Sequence, residues 1–163
     1  MKPRIVNADS VPFETRTQPE AFECRIARVG AVVESSKLGY NITVVPPGKK
    51  AFPYHAHRGN EEMFFILEGE GTLRIDGERR KIRQGDFIAV PPGRESAHQI
   101  INDSAGELRY LAVSTMELPE VIEYPDSGKL GMIAGTPGGR PPMPDSIRHF
   151  ARVADAVEYW HGE

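Results

Sequence analysis

Two histidines and two adjacent glutamates lie within one short stretch of this sequence. His55 and His57 are two residues apart, so on an extended strand both imidazoles leave the same face and can reach one ion. The Gly59-Asn60 pair favours a turn, and Glu61 and Glu62 follow it at the start of an apolar strand. The turn would fold that strand back beside the histidines. The stretch therefore has the composition and order of a metal site.

A further ligand is expected from a distant part of the chain, since one hairpin leaves most of an ion's coordination sphere to water. His98 is the candidate, because it begins an apolar strand after a Pro/Gly turn. The carboxylate has two alternatives. Strict strand alternation from His57 favours Glu61, whereas a turn before the pair favours Glu62.

These residues resemble the cupin superfamily of small β-barrels. The first cupin motif is matched by Gly48, His55-Ala56-His57, Glu62 and Gly69. The second is matched by Gly85, Pro91-Pro92-Gly93, His98 and Asn102. The interval from Gly48 to His55 is one residue longer than usual, and that from Gly93 to His98 is two residues longer. The resemblance covers roughly residues 40–115.

The resemblance implies both a fold and a ligand set. The expected fold is all-β, a cupin-type jelly-roll β-barrel, and the metal ligands carried over are His55, His57, Glu62 and His98. The implied cofactor is one divalent transition metal per chain, and the N and O donors suit Fe, Mn, Zn, Ni or Cu equally. Asn102 is expected to satisfy backbone groups rather than to bind metal.

The patterning divides the chain into three parts. Residues 1–20 are predicted to be an irregular arm, with at most a short strand around Arg4 to Asn7. Residues 21–116 form the barrel, where Asp76-Gly77 predicts a tight hairpin. Residues 117–163 form an extension packed on the barrel. It comprises an acidic, proline-containing stretch over residues 117–128, a Gly/Pro-rich loop with little regular structure over residues 131–144, and a short amphipathic helix over residues 146–160.

Apolar residues in phase with the ligands are candidates for the wall of a ligand pocket. Phe64, Ile66 and Ile100 have this phase along their strands. They could equally belong to the barrel core.

Composition limits the partners. The 163 residues include 20 Lys and Arg against 23 Asp and Glu, which gives no electrostatic reason to expect nucleic acid or a membrane. No apolar run approaches the ~20 residues that span a bilayer. The lone Cys24 excludes an internal disulfide, and the N-terminus has no hydrophobic segment of signal type, so a cytoplasmic protein is expected. The arm could add a strand to a partner chain, and a homodimer is predicted.

The predicted site restricts the chemistry without fixing it. Three imidazoles and one carboxylate would leave open positions on a six-coordinate ion for a small-molecule ligand or substrate. The first hypothesis is a metal-dependent enzyme, a dioxygenase-like oxidoreductase acting on a small oxygen-bearing organic molecule. One alternative is a non-catalytic cupin that binds or senses a small molecule, and a second is a metal-dependent isomerase or decarboxylase.

Overall fold

The computed structural model describes residues 4–18, 20–138 and 140–163, so the first three residues of the predicted arm lie outside the described residues. Almost all regular structure is extended. The strands are β1 Phe13–Gln18, β2 Phe22–Ala27, β3 Leu38–Val45, β4 Ala56–His57, β5 Glu62–Glu68, β6 Glu70–Ile75, β7 Glu78–Arg83, β8 Phe87–Val90, β9 His98–Ile101, β10 Leu108–Thr115, β11 Glu120–Tyr124, β12 Lys129–Ala134 and β13 Ile147–Arg152. A four-residue helix, α1, spans Val29–Val32, and 3-10 turns span Ala8–Ser10, Arg94–Ser96 and Val153–Asp155.

The strands form a jelly-roll barrel, which confirms the predicted all-β fold. One sheet has the order β1-β2-β3-β10-β5-β8, and a second has the order β7-β6-β9. A third sheet, in the order β13-β12-β11-β4, carries the C-terminal part of the chain. The pairing is antiparallel within each sheet. Strands distant in sequence thus become neighbours, and residues 55–62 lie near residue 98.

Large apolar side chains fill the closed end of the barrel. Ile66, Tyr110 and Leu108 are almost completely buried, and Phe64 packs with them in the main core cluster. Inward-facing residues alternate along each strand, since successive side chains leave opposite faces. Towards the other end of β3 and β10 the inward positions become small, so the core gives way to open space.

Two local predictions are confirmed by the backbone. The hairpin between β6 and β7 turns at Asp76 and Gly77, which both have positive φ angles, 47° and 76°. Asn102 is completely buried and donates its amide hydrogens to the carbonyls of Val45 and Gly106, at 2.7 and 2.8 Å. Its side chain therefore joins loops at the closed end of the barrel, as expected.

The helix predicted over residues 146–160 is wrong. Ile147–Arg152 forms strand β13, which pairs with β12 along its full length. The apolar stripe has no surface against which a helix could bury it, since Ile147 and Trp160 remain 55% and 76% exposed. The free edge of β12 instead satisfies the backbone of this segment. The apolar residues recur at intervals of three and four, as in a helix, but pairing with β12 determines the conformation of the segment.

The Gly/Pro-rich loop predicted over residues 131–144 begins later than expected, because residues 131–134 belong to β12, whereas residues 135–138 and 140–144 contain no helix or strand. The stretch before this loop is more regular than its proline content indicated. Glu120–Tyr124 and Lys129–Ala134 form a hairpin of strands, and β11 pairs with β4, which contains His57. The extension therefore reaches the metal-site region directly.

The N-terminal arm contains more structure than its sequence indicated. Residues 4–7 form no strand, whereas Phe13–Gln18 forms β1 and pairs with β2 of the same chain. The alternating Phe13, Thr15 and Thr17 are residues that favour strands. The arm thus becomes the edge of the largest sheet.

Within the described part of the chain, no helix is long and apolar enough to cross a membrane.

Candidate metal centre

His55 and His98 are paired directly across two chain segments. Each backbone N–H donates to the other's carbonyl, at 3.1 and 2.8 Å, and the ring centroids are 4.6 Å apart. The Nδ1 atoms lie 2.8 Å from the carbonyl oxygen of Pro53 and 3.1 Å from that of Ser96. A carbonyl only accepts, so each Nδ1 carries the proton and each Nε2 keeps its lone pair. Both imidazoles are therefore prepared to bind a metal through Nε2.

Glu62 supplies the carboxylate, and the register of β5 explains why. Glu62 alternates with the buried Phe64 and Ile66 and so faces the barrel interior, whereas Glu61 is exposed on the other face. Oε2 of Glu62 lies 3.1 Å from His98 Nε2. The ligand atoms of His55, Glu62 and His98 all lie within 4.8 Å of one another. The geometry thus favours Glu62 of the two candidates.

His57 stands slightly apart from this group. Its Nε2 is 3.5 Å from Glu62 Oε2, but its ring centroid is 6.5 Å from that of His98. Its Nδ1 lies 3.7 Å from Oε2 of Glu120, a carboxylate on β11 that is 4% exposed. Oε1 of Glu120 accepts the backbone N–H groups of Arg58 and Gly59. The atoms of His55, Glu62 and His98 thus form a compact group, His57 contacts this group through Glu62, and Glu120 lies behind His57.

Two buried atoms, His57 Nδ1 and Glu120 Oε2, have no hydrogen-bond partner among the described residues. Their separation of 3.7 Å exceeds a good hydrogen bond, and a shift of less than 1 Å would close it. A metal-binding histidine commonly donates its second N–H to a carboxylate, which fixes the ring and increases its basicity. The pair is consistent with His57 acting as a ligand.

The buried charges shift the ionisation of the cluster. Burial, followed by repulsion from His98, lowers the pKa of His55 to about 3, so this imidazole is neutral and able to bind metal at neutral pH. Burial alone would raise the pKa of Glu62, but the neighbouring imidazoles, His98 first, lower it to about 2. Burial opposes protonation of His57, yet Glu120 and Glu62 raise its pKa above the ordinary value. The cluster thus offers an ionised carboxylate at Glu62 and a neutral imidazole at His55.

A cavity of about 220 Å³ opens beside the cluster, and His57, Glu62 and Glu120 line it. We call it the inner cavity. Its walls also include residues 39–41 and 112–118 and parts of α1 and the C-terminal extension. Gly39 and Ala112 create room at inward positions where a large residue would fill the barrel. The volume suits a small molecule rather than a polymer.

The residues predicted to line the pocket lie elsewhere. Phe64, Ile66 and Ile100 are all at most 5% exposed and belong to the main core cluster. None of the three lines the inner cavity. Of the two alternatives for these residues, the structure supports the barrel core.

Glu120 was missed at the sequence level because its acidic, proline-containing segment was assigned no strand. The signal was available: Val121 and Ile122 are β-branched and are followed by Tyr124, a composition typical of a strand. A glutamate beginning such a strand would have been a candidate for a buried polar role.

Comparison with known proteins adds independent findings. A family model described as a cupin domain matches residues 41–114. An oxalate-binding protein from Thermotoga maritima is 35% identical over 69 residues, which are 42% of this chain and 54% of that protein. The quercetin 2,3-dioxygenase of Bacillus subtilis is 31% identical over 80 residues, which are 48% of this chain and 24% of that enzyme. The chain thus spans about half, or less, of these relatives.

A longer match is found among solved structures. The crystal structure of a putative sugar phosphate isomerase from Acidithiobacillus ferrooxidans superposes with a TM-score of 0.78 at 24% identity. The superposition covers 94% of this chain and 95% of that one. At this identity the match shows the fold, including the strands of the C-terminal extension.

Proposed function

Residues 41–114 are a cupin-type domain, and from this we propose that the chain binds one divalent transition metal and uses it as a dioxygenase-like oxidoreductase. The proposed substrate is a small oxygen-bearing organic molecule. The observation that carries the proposal is the cluster of His55, Glu62 and His98 beside a cavity open to one small molecule. The match to a dioxygenase supports the reaction class.

The donor atoms fit a metal ion. They are imidazole nitrogens and a carboxylate without thiolate, a set that suits Fe, Mn, Ni, Zn and Cu. The Nδ1–H groups of His55 and His98 donate to backbone carbonyls, and Nδ1 of His57 lies near the carboxylate of Glu120. In each ring Nε2 is therefore the nitrogen left to bind a metal. A bound ion would supply Lewis acidity to an oxygen-bearing ligand.

The chain's own residues provide the remaining elements of a reaction site. The inner cavity would place a small molecule against Glu62 and His57. Its narrow volume restricts the orientations available to that molecule, which reduces the entropy lost on the way to reaction. Asn41 lines the wall, and its carboxamide Oδ1 accepts the hydroxyl of Thr43. The Asn41 amide N–H groups have no partner in the described structure and are free to donate to a ligand oxygen.

Metal analysis of the purified protein tests the ligand set. We expect about one ion per chain, and His98→Ala should lose most of it because the distant ligand is removed. His149→Ala is the matched control, since His149 is an exposed histidine on β13. Full metal content in His98→Ala would contradict the proposed ligation.

Titration under anaerobic conditions tests the substrate class. The Fe(II)-loaded protein should change its absorption spectrum with bidentate oxygen ligands such as a catechol or a 2-oxo acid, and should not change with monodentate analogues. Perturbation without turnover of any such compound would favour the alternative of a non-catalytic binding or sensing protein. No perturbation by any bidentate ligand would contradict the proposal.

We also propose that the chain forms a homodimer. β1 lies at the end of the largest sheet, so one of its edges pairs with no other strand of the described residues, and all six of its residues are exposed. An exposed edge strand is a site at which a second chain can pair. Light scattering at micromolar concentration should give twice the mass of 18.1 kDa, and a monomer mass would contradict the proposal.

A further inference from the structure

Four arginines line one cleft on the outer side of the barrel. Arg16 comes from β1, Arg28 precedes α1, and Arg140 and Arg148 come from the C-terminal extension. The cleft has a volume of about 400 Å³, and we call it the arginine cleft. Glu14 is the one carboxylate that lines it within the described part of the chain. Four segments distant in sequence thus place four guanidinium groups around one space.

The positive charge of this cleft is largely uncompensated. Arg28 Nε lies 3.2 Å from Glu14 Oε2, and this is the one ion pair of the four arginines in the described structure. The Nη atoms of Arg28 have no hydrogen-bond partner there, nor has the side chain of Arg16. Grouped like charges repel one another, so the arrangement is costly unless an anion occupies it. The cleft therefore has the charge that suits binding of an oxyanion.

The remaining two arginines are held rigidly. Arg140 donates to the carbonyls of Gly30, Ala31 and Ser35 at 2.5–3.3 Å. Arg148 donates to the carbonyl of Arg140 at 2.6 Å. Carbonyl oxygens orient a guanidinium but do not neutralise it. The charge is therefore fixed in place before a ligand arrives, which lowers the cost of binding.

The arginine cleft and the inner cavity are adjacent. Arg28, Ala31 and Arg140 line both of them. The inner cavity is also lined by His57 and Glu62 of the metal cluster. The arginines and the metal cluster therefore border two neighbouring spaces that share three wall residues.

We propose that the substrate carries an anionic oxyanion group, a phosphate or a carboxylate, which the arginine cleft binds while the other end of the molecule faces the metal cluster. This inference rests on the proposed function and narrows its substrate class. Guanidinium groups bind phosphate and carboxylate through paired N–H···O bonds, stronger than those between neutral groups. Arg28 and Arg16 are the donors that remain free to make them.

Calorimetry with matched pairs of ligands tests the proposal. One pair is glycerate and 3-phosphoglycerate, a 2-hydroxy acid without and with a phosphate. The other is 2-oxobutyrate and 2-oxoglutarate, a 2-oxo acid without and with a distal carboxylate. On the metal-loaded protein we expect at least one charged member to bind about tenfold tighter than its partner. The pair that responds identifies the oxyanion.

Variants assign the effect to the cleft. Arg16→Gln and Arg28→Gln should each remove most of the preference, because they delete free donors while keeping polar side chains. Arg79→Gln is the control, since Arg79 is an exposed arginine on β7 that lines neither cavity. Circular dichroism and unchanged metal content would verify that the variants fold.

The same ligand comparison on the metal-free protein separates this inference from the proposed function. Without metal, 3-phosphoglycerate or 2-oxoglutarate should still raise the melting temperature more than its partner does, and Arg28→Gln should abolish the difference. Equal effects of both members in both arms, or equal losses in Arg28→Gln and Arg79→Gln, would overturn the inference. If the metal-free preference persists but no ligand responds to metal, the arginine site stands and the proposed metal-dependent function fails.

Discussion

The stability of the metal-free protein should peak near pH 6.5, because two histidines of the cluster are shifted in opposite directions. The pKa of His55 is about 3 in the folded protein, below its ordinary value of 6.5. Between those values the unfolded chain binds more protons, so stability falls as the pH falls. The pKa of His57 is raised. Its contribution is fully present below pH 6.5 and is lost as the pH rises through the raised value.

The magnitude on the acid side follows from the size of the His55 shift. Each pH unit between its unfolded and folded pKa changes the free energy of unfolding by about 1.4 kcal/mol. Lowering the pH from 6.5 to 5 should therefore cost about 2 kcal/mol. Glu62, with a pKa of about 2 against an ordinary 4.5, adds a further loss below about pH 4.5, outside this interval.

Urea unfolding in a chelator, measured at half-unit steps of pH, gives the profile. His55→Gln should flatten it below pH 6.5, because the buried imidazole that resists protonation is gone. His149→Gln, at an exposed histidine, should leave it unchanged. A parent protein equally stable at pH 6.5 and pH 5, or a slope that survives in His55→Gln, would refute the reasoning.

Three other substitutions have definite expected outcomes. Glu62→Gln should weaken metal binding far more than Glu61→Gln in competition with a chromogenic chelator; the reverse order would show that β5 enters the site in the other register. Glu120→Gln should reduce metal affinity by about 10–100-fold by loosening His57. Glu123→Gln, on the same strand, is its control, and equal effects would deny Glu120 a special role. Asn102→Ala should lower the free energy of unfolding by about 1–3 kcal/mol, since it removes the side-chain donor to the carbonyl of the buried Val45; urea unfolding within about 0.5 kcal/mol of the parent would contradict this.

The sequence predicted those features that depend on short-range rules. The hairpin at Asp76-Gly77 follows from residues that tolerate positive φ. The proximity of His55 and His98 was expected from the resemblance to the cupin motifs, which this sequence matches despite one and two extra residues. Between Glu61 and Glu62 the sequence alone left a choice, because a turn of unknown geometry sets the register of the strand after it. Only the pairing of β5 with its neighbours identifies which carboxylate faces inward.

Features that depend on pairing between segments distant in sequence were not predicted. Apolar residues at Ile147 and Phe150 fit a helical period, but the free edge of β12 determined their conformation. The acidic, proline-containing stretch over residues 117–128 was assigned no strand, although its prolines flank β11 rather than interrupt it. Glu120 was missed for this reason. Its role depends on contact with residues more than sixty positions earlier, Arg58 and Gly59, which no local pattern records.

The division of labour between the barrel and its two flanking segments bears on how proteins of this kind diversify. The predicted ligands lie within residues 55–98, whereas α1 and the C-terminal extension supply much of the wall of the inner cavity. Insertions, deletions or recombination in those flanks would remodel the space beside the cluster and leave the predicted ligands untouched. Grafting the flanks of one such protein onto the barrel of another would thus test whether the flanks set ligand selectivity. Shortening this chain to residues 41–114 would keep the predicted ligands and discard much of the cavity wall.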